Sequence, residues 1–106
     1  MSPGHHLVIA VILALAATAM PAKAATIQIS MENLVISPAT ASAKVGDTVE
    51  WVNKDVLEHS ATARNGGFDV TLPPKKTGTV VLTKPGTVDY YCRFHPNMKA
   101  VLTVAP

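Results

Sequence analysis

Hydrophobic and polar residues alternate along several short segments of this 106-residue chain. Ile27, Ile29 and Met31 are separated by polar residues, and the segment 48–53 (TVEWVN) alternates in the same way. Period-two alternation is typical of β-strands that bury one face. Further segments of this kind lie at 34–36, 60–63, 77–83, 87–92 and 100–104.

Turn-forming residues separate these segments. Glycine and proline occur at 65–67 (NGG), 73–74 (PP) and 84–86 (KPG), and each of these sequences favours a turn or loop. No segment after residue 25 shows a helical period. About seven to eight short strands at this spacing predict an all-β fold, an antiparallel β-sandwich.

The first 24 residues differ in character from the rest. Residues 7–20 are apolar apart from Thr18, and a small-x-small pattern follows at 22–24 (AKA). An apolar run of this length is shorter than the ~20 residues that a spanning helix needs. We therefore predict a secretory signal peptide over 1–24, cleaved after Ala24, and a periplasmic domain over 25–106. A retained N-terminal anchor is the alternative.

Charge and cysteine content limit the functions and the means of stabilisation that are open to this protein. The region 25–106 carries eight Lys and Arg against seven Asp and Glu, a net charge of +1 with no basic run, which gives no support for nucleic-acid binding. The single cysteine, Cys92, excludes an intramolecular disulfide. A domain of this size has a small hydrophobic core that provides only marginal stability. Without a disulfide, a bound metal is the remaining way to stabilise such an exported domain.

The candidate metal ligands lie mainly in one short segment. Cys92, His95 and Met98 follow each other at intervals of three residues, and His59 lies upstream of them. A lone buried cysteine or methionine is usually part of a core. Two imidazoles, one thiolate and a weak axial thioether, however, are the donors of a type 1 (blue) copper site, so we predict one copper per chain held by these four residues.

The chain resembles the cupredoxins, and among them the amicyanins most. The matching stretches are 44–53 (KVGDTVEWVN), 85–92 (PGTVDYYC) and 95–98 (HPNM), and the likeness covers nearly all of residues 26–105. The resemblance implies an eight-stranded Greek-key sandwich and electron transfer between soluble redox proteins. It suggests a quinoprotein dehydrogenase and a c-type cytochrome as partners of a monomeric carrier that is not inserted in the membrane.

Two departures from the family pattern bear on the site. Ser60 stands where cupredoxins usually have an asparagine that ties two ligand loops together. Phe94 stands where the amicyanins have proline, so its amide is free, and we predict that this amide makes a second N–H···S hydrogen bond to Cys92. Asn53 is a candidate brace for the connection that leads to His59.

Three other functions compete with electron transfer. A periplasmic copper carrier or chaperone would exchange its metal rapidly. A copper enzyme would need further histidines or an open coordination position, and region 25–106 has only His59 and His95. An immunoglobulin-like binding module would bind no copper at all. We expect an electron carrier that is not an enzyme.

Overall fold

Nine β-strands and no helix make up residues 23–106, the part of the chain that the computed structural model describes. Residues 1–22, most of the predicted signal peptide, lie outside it. No helix long and apolar enough to cross a membrane occurs in residues 23–106. In chain order the strands are β1 (Thr26–Glu32), β2 (Val35–Ser37), β3 (Thr40–Lys44), β4 (Thr48–Asn53), β5 (His59–Ala63), β6 (Asp69–Leu72), β7 (Thr77–Val81), β8 (Gly86–Tyr91) and β9 (Lys99–Ala105).

The strands form two sheets that pack face to face. One has the order β2-β1-β4-β7 and the other the order β3-β9-β8-β5-β6. The predicted all-β sandwich is confirmed, but the pairing is mixed rather than wholly antiparallel, because β1 runs parallel to β4 and β9 runs parallel to β3. Both parallel pairs join strands that are distant in sequence, so no hairpin signal reveals them. Two strands that the sequence did not predict, β3 and β6, bring the strand count to nine.

The core follows the predicted alternation. In β4 the side chains of Val49, Trp51 and Asn53 are buried while their neighbours are half-buried. The Trp51 indole packs against the rings of Phe68 and Tyr90, with centroids 5.3 Å and 5.6 Å apart. Its Nε1–H donates to the Tyr90 hydroxyl across 3.3 Å, which satisfies the polar atoms of two large buried rings.

Gly78 allows the two sheets to approach each other along one edge. It lies in β7, opposite Trp51 of the neighbouring strand. A Cβ at this position would lie 2.5 Å from Val70 Cγ1 and 2.7 Å from Leu72 Cδ2, both on β6 of the other sheet. A side chain at position 78 would therefore force the side chains of Val70 and Leu72 to move.

The connections 33–34, 54–58, 73–76 and 92–98 meet at one end of the sandwich, which we call the loop end. The N-terminus of β1 lies at the opposite end. There Asp47 accepts hydrogen bonds from the amides of Ala25 and Lys44, each across 2.9 Å. These two backbone hydrogen bonds hold the pKa of Asp47 below its usual value.

Candidate metal centre

The ligand loop, residues 92–98, connects two paired strands at the loop end. Strands β8 and β9 are antiparallel, and Tyr91 lies opposite Lys99 across the ladder. Within the loop the Cys92 amide donates to the Met98 carbonyl across 3.1 Å, and the Met98 amide donates to the His95 carbonyl across 2.9 Å. Because the loop spans a fixed gap and carries its own hydrogen bonds, its three candidate ligands have defined positions.

His59 reaches the ligand loop from strand β5. It is the first residue of that strand, which pairs with β8, and its side chain is fully buried. Its Nδ1 lies 3.2 Å from His95 Nδ1 and 3.8 Å from Cys92 Sγ. Cys92 Sγ lies 3.7 Å from His95 Nδ1, so three of the predicted ligands present one donor atom each to the same point.

These separations fit a single bound ion. A first-row metal ion lies about 2.0 Å from an imidazole nitrogen and about 2.3 Å from a thiolate, so a trigonal arrangement separates the donors by about 3.5 Å (N to N) and about 3.8 Å (N to S). The nitrogen–nitrogen distance of 3.2 Å is slightly shorter than this, and the nitrogen–sulfur distances of 3.7 and 3.8 Å match it. The donor set is therefore arranged for a metal without any movement of the backbone.

Asp55 fixes the tautomer of His59. Its Oδ2 lies 2.7 Å from His59 Nε2, and a carboxylate only accepts hydrogen bonds, so Nε2 carries the hydrogen. The neutral ring then has its lone pair on Nδ1, which faces Cys92 and His95. A carboxylate behind a histidine ligand is the usual way in which proteins orient such a ring and raise its basicity.

Asp55 is held in turn by a hairpin. The amides of Asn33 and Leu34, at the tip between β1 and β2, donate to its two oxygens across 2.7 and 3.1 Å. Burial alone would raise the pKa of Asp55, but the hydrogen bonds from His59, Leu34 and Asn33 outweigh burial and hold that pKa below its usual value. Both tip residues have positive φ, so the hairpin keeps an unfavourable backbone conformation where it contacts the carboxylate.

Asn53 braces the connection as proposed. It is buried at the end of β4, and its Nδ2 donates to the carbonyls of Leu57, Leu72 and Pro73 at 2.8–3.2 Å. Its Oδ1 accepts from the Asp55 amide across 2.9 Å. One side chain thus holds the 54–58 connection against the end of β6 and orients the residue behind His59.

The sulfur of Cys92 is fully buried and accepts a hydrogen bond from the Ser60 amide across 3.4 Å. The predicted second N–H···S hydrogen bond from Phe94 is wrong, because the Ser60 amide is the only backbone amide within residues 23–106 that donates to this sulfur. The reason lies one residue earlier, where the Arg93 amide donates to Ser60 Oγ across 2.8 Å and fixes the course of the chain after Cys92. The backbone hydrogen bond to the sulfur therefore comes from β5 and not from its own loop.

The fourth predicted ligand, Met98, is 2% exposed and belongs to the core cluster, as does Met31. The loop hydrogen bonds described above hold its backbone beside Cys92 and His95. Its role as a ligand remains a prediction.

Sequence reasoning did not identify Asp55 as the partner of His59. The available signal is its position four residues before a candidate histidine ligand, in a connection braced by asparagine.

We expect Asp55→Ala to lower the free energy of unfolding of the metal-free protein by roughly 1–3 kcal/mol, because three donors lose their acceptor. Urea denaturation of the metal-free protein measures this difference. The matched control is Glu58→Ala, in the same connection at an exposed position, with an expected change within about 0.5 kcal/mol. Equal losses in the two variants would contradict the role given to Asp55.

Comparison with known proteins agrees with the fold. A family model described as a cupredoxin-like domain matches residues 5–104. Methylamine utilization protein MauL of Methylorubrum extorquens is 29% identical over 103 residues, which cover 93% of this chain and 90% of that protein. Amicyanin of Paracoccus denitrificans is 30% identical over 67 residues, or 58% of this chain and 51% of that protein.

Comparison with solved structures also finds cupredoxins. A variant of amicyanin in its Cu(I) form superposes with a TM-score of 0.69 at 26% identity, and the match covers 74% of this chain and 81% of that one. A purple cupredoxin from Nitrosopumilus maritimus superposes with a TM-score of 0.67 at 29% identity, with 74% and 99% of the two chains covered. The family match spans most of the sequence and the architecture agrees with it, and this chain is therefore a member of the cupredoxin-like domain family.

Proposed function

We propose that this protein is a type 1 copper protein that carries single electrons between redox partners. The observation that carries the proposal is the convergence of His59 Nδ1, His95 Nδ1 and Cys92 Sγ on one point, with separations of 3.2–3.8 Å. Bound copper supplies the one-electron redox chemistry. Imidazole, thiolate and thioether donors together suit both of its oxidation states.

Hydrogen bonds around the ligands favour electron transfer over other uses of the metal. Asp55 holds the His59 ring from behind, the Ser60 amide contacts the Cys92 sulfur, and the loop hydrogen bonds fix the backbone of His95. Ligands that are already in place need little rearrangement when the charge of the site changes. A centre of this kind gains and loses electrons quickly and releases its metal slowly, which argues against a copper carrier.

Met98 is the proposed fourth ligand. With two imidazoles, the thiolate and this thioether in use, no coordination position remains open for a substrate. A copper nitrite reductase from Thermus scotoductus superposes on this chain with a TM-score of 0.67, but the match covers only 22% of that protein. An enzyme therefore uses this fold as one part of a larger chain. Residues 25–106 offer no further histidine for a second copper.

His95 is the proposed point of electron entry and exit. Its side chain is half-buried, whereas His59 is fully buried, so His95 is the more accessible imidazole. Exposed apolar side chains lie on the ligand loop and on the connection that leads to His59, namely Phe94, Val56 and Leu57. An apolar surface around the port suits brief docking of a soluble redox protein, such as a quinoprotein dehydrogenase as donor and a c-type cytochrome as acceptor.

Export to the periplasm is part of the proposal. Cleavage after Ala24 would turn the amide of Ala25 into a free α-ammonium group. That nitrogen already lies 2.9 Å from Asp47 Oδ1, so the new charge would meet a carboxylate at the end of the sandwich opposite the site. The processed chain would thus gain an ion pair where the precursor has a hydrogen bond from a neutral amide to the carboxylate.

Adding Cu(II) to the metal-free protein is expected to give one bound copper, an intense visible band from thiolate-to-copper charge transfer and a type 1 EPR signal. Cys92→Ser is expected to lose the visible band, because the thiolate is its source. Titration followed by visible and EPR spectroscopy measures both. Spectra without a thiolate band in the unaltered protein would refute the proposal, and release of Cu(I) to a chelator within seconds would favour a carrier.

Met98→Gln is expected to keep copper and to lower the reduction potential, because an amide oxygen is a harder donor and favours Cu(II). Met31→Leu is the matched control, a second buried methionine placed in β1, with no expected change in potential. Voltammetry of the two copper-loaded variants makes the comparison. A shift of the same size in both would remove Met98 from the ligand set.

Protein recovered after export is expected to begin at Ala25, and intact-mass spectrometry measures this directly. The unprocessed chain would instead retain the mass of residues 1–24. A membrane-bound protein with that mass would support the retained anchor and contradict the cleaved signal.

A further inference from the structure

Four polar residues form a closed ring beside the candidate metal centre. The Arg93 amide donates to Ser60 Oγ across 2.8 Å, and Ser60 Oγ lies 2.8 Å from Thr62 Oγ1. Thr62 Oγ1 donates to Asp69 Oδ1 across 2.8 Å. The Arg93 side chain closes the ring through Nε, which donates to the same Asp69 oxygen across 3.0 Å.

The direction of each hydrogen bond follows from Asp69. Its carboxylate only accepts, and hydrogen bonds from Thr62 and then Arg93 hold its pKa below the usual value despite some desolvation. The hydroxyl group of Thr62 therefore donates its single hydrogen to Asp69, so Thr62 must accept a hydrogen bond from Ser60. Because Ser60 donates its own hydroxyl hydrogen to Thr62, its oxygen acts as the acceptor for the Arg93 amide.

Ser60 consequently holds the ligand loop at two points. Its side chain accepts from the residue after Cys92, and its amide donates to the Cys92 sulfur across 3.4 Å. Ser60 is fully buried in β5, whereas Asp69 and Arg93 lie at the surface. The ring thus connects a buried contact with the sulfur to two charges in solvent.

We propose that Thr62 and Asp69 are positioning residues for Cys92, which act by fixing the Ser60 hydroxyl as an acceptor for the Arg93 amide. The copper-dependent part of this inference rests on the proposed function. The hydrogen-bonding part concerns the protein without metal. In this chain a two-hydroxyl relay anchored on a carboxylate ties the loop after the cysteine to β5.

An ordinary surface ion pair does not account for the arrangement. An exposed arginine–aspartate pair contributes little to stability and orders nothing beyond itself. Here the Asp69 oxygen that accepts a hydrogen bond from Arg93 Nε also accepts one from the Thr62 hydroxyl. Through Thr62, this oxygen orients the hydroxyl group of the fully buried Ser60. Removing the Thr62 hydroxyl therefore separates the two explanations, because it leaves the ion pair intact.

The test compares Thr62→Val with Thr62→Ser in the full chain. Valine keeps the shape of threonine but removes the hydroxyl, so the Ser60 hydrogen loses its acceptor. We expect hydrogen exchange of the Arg93 amide in the metal-free protein, followed by NMR, to become about tenfold faster. We also expect a lower reduction potential after copper loading, because a weaker Ser60 N–H···S contact leaves more electron density on the sulfur. Thr62→Ser keeps the hydroxyl and is expected to behave like the unaltered protein.

Two further variants complete the test. Asp69→Ala, at an exposed position, is expected to speed Arg93 amide exchange as Thr62→Val does. Thr71→Val removes only the hydrogen bond that Arg93 Nη2 donates across 3.1 Å, outside the ring, and is expected to leave that exchange unchanged. Equal Arg93 exchange in Thr62→Val and the unaltered protein would overturn the proposal. Failure of the unaltered protein to bind copper would refute the proposed function, while the exchange rates would still decide whether the ring holds the loop.

Discussion

The hydrogen bond between Asp55 and His59 is the interaction on which the candidate site depends. It selects the tautomer that leaves Nδ1 free, and it does so in a ring with no access to solvent. The carboxylate is itself ordered by two amides of a hairpin tip and by the Asn53 brace. Two connections, 33–34 and 54–58, and the end of β4 therefore determine where one nitrogen lone pair points. The site is organised by the backbone and its hydrogen bonds before any metal arrives.

Much of the fold could be predicted from local alternation, and the rest could not, for physical reasons. Strands with one apolar face, such as β1 and β4, were recognised because each buries every second side chain. Strand β3 has the sequence TASAK, whose small side chains give little hydrophobic contrast, and β6 has only four residues. Parallel pairing of β1 with β4 depends on contacts between distant segments, which no local pattern encodes.

Sequence reasoning named three candidate donors that the structure brings together, and it named Asn53 as a brace, but it missed or misassigned other contacts that support them. Cys92, His95 and His59 could be found because few residue types bind copper and the chain has few of them. The partner of His59 was missed, since an aspartate in a loop is ordinary in any sequence. The expected contact from Phe94 was wrong, because the amide of its neighbour Arg93 bonds to Ser60 and sets the path of the loop. Supporting hydrogen bonds depend on backbone geometry, which residue identity alone does not specify.

The parallel pairing of β9 with β3 has a practical consequence. The Val45 amide donates to the carbonyl of Ala105, so the last strand ends beside the turn at 45–47. Asp47 in the same turn accepts a hydrogen bond from the amide of Ala25. Both ends of the folded domain thus lie at one pole, separated from His95 by the length of a seven-residue strand, roughly 20 Å. If the domain of residues 25–106 were attached to an electrode through either of its ends, His95, the proposed port, would face the solution. Attachment through a cysteine introduced in the 73–76 connection would turn the port toward the metal surface, and the two orientations would differ in their interfacial electron-transfer rates.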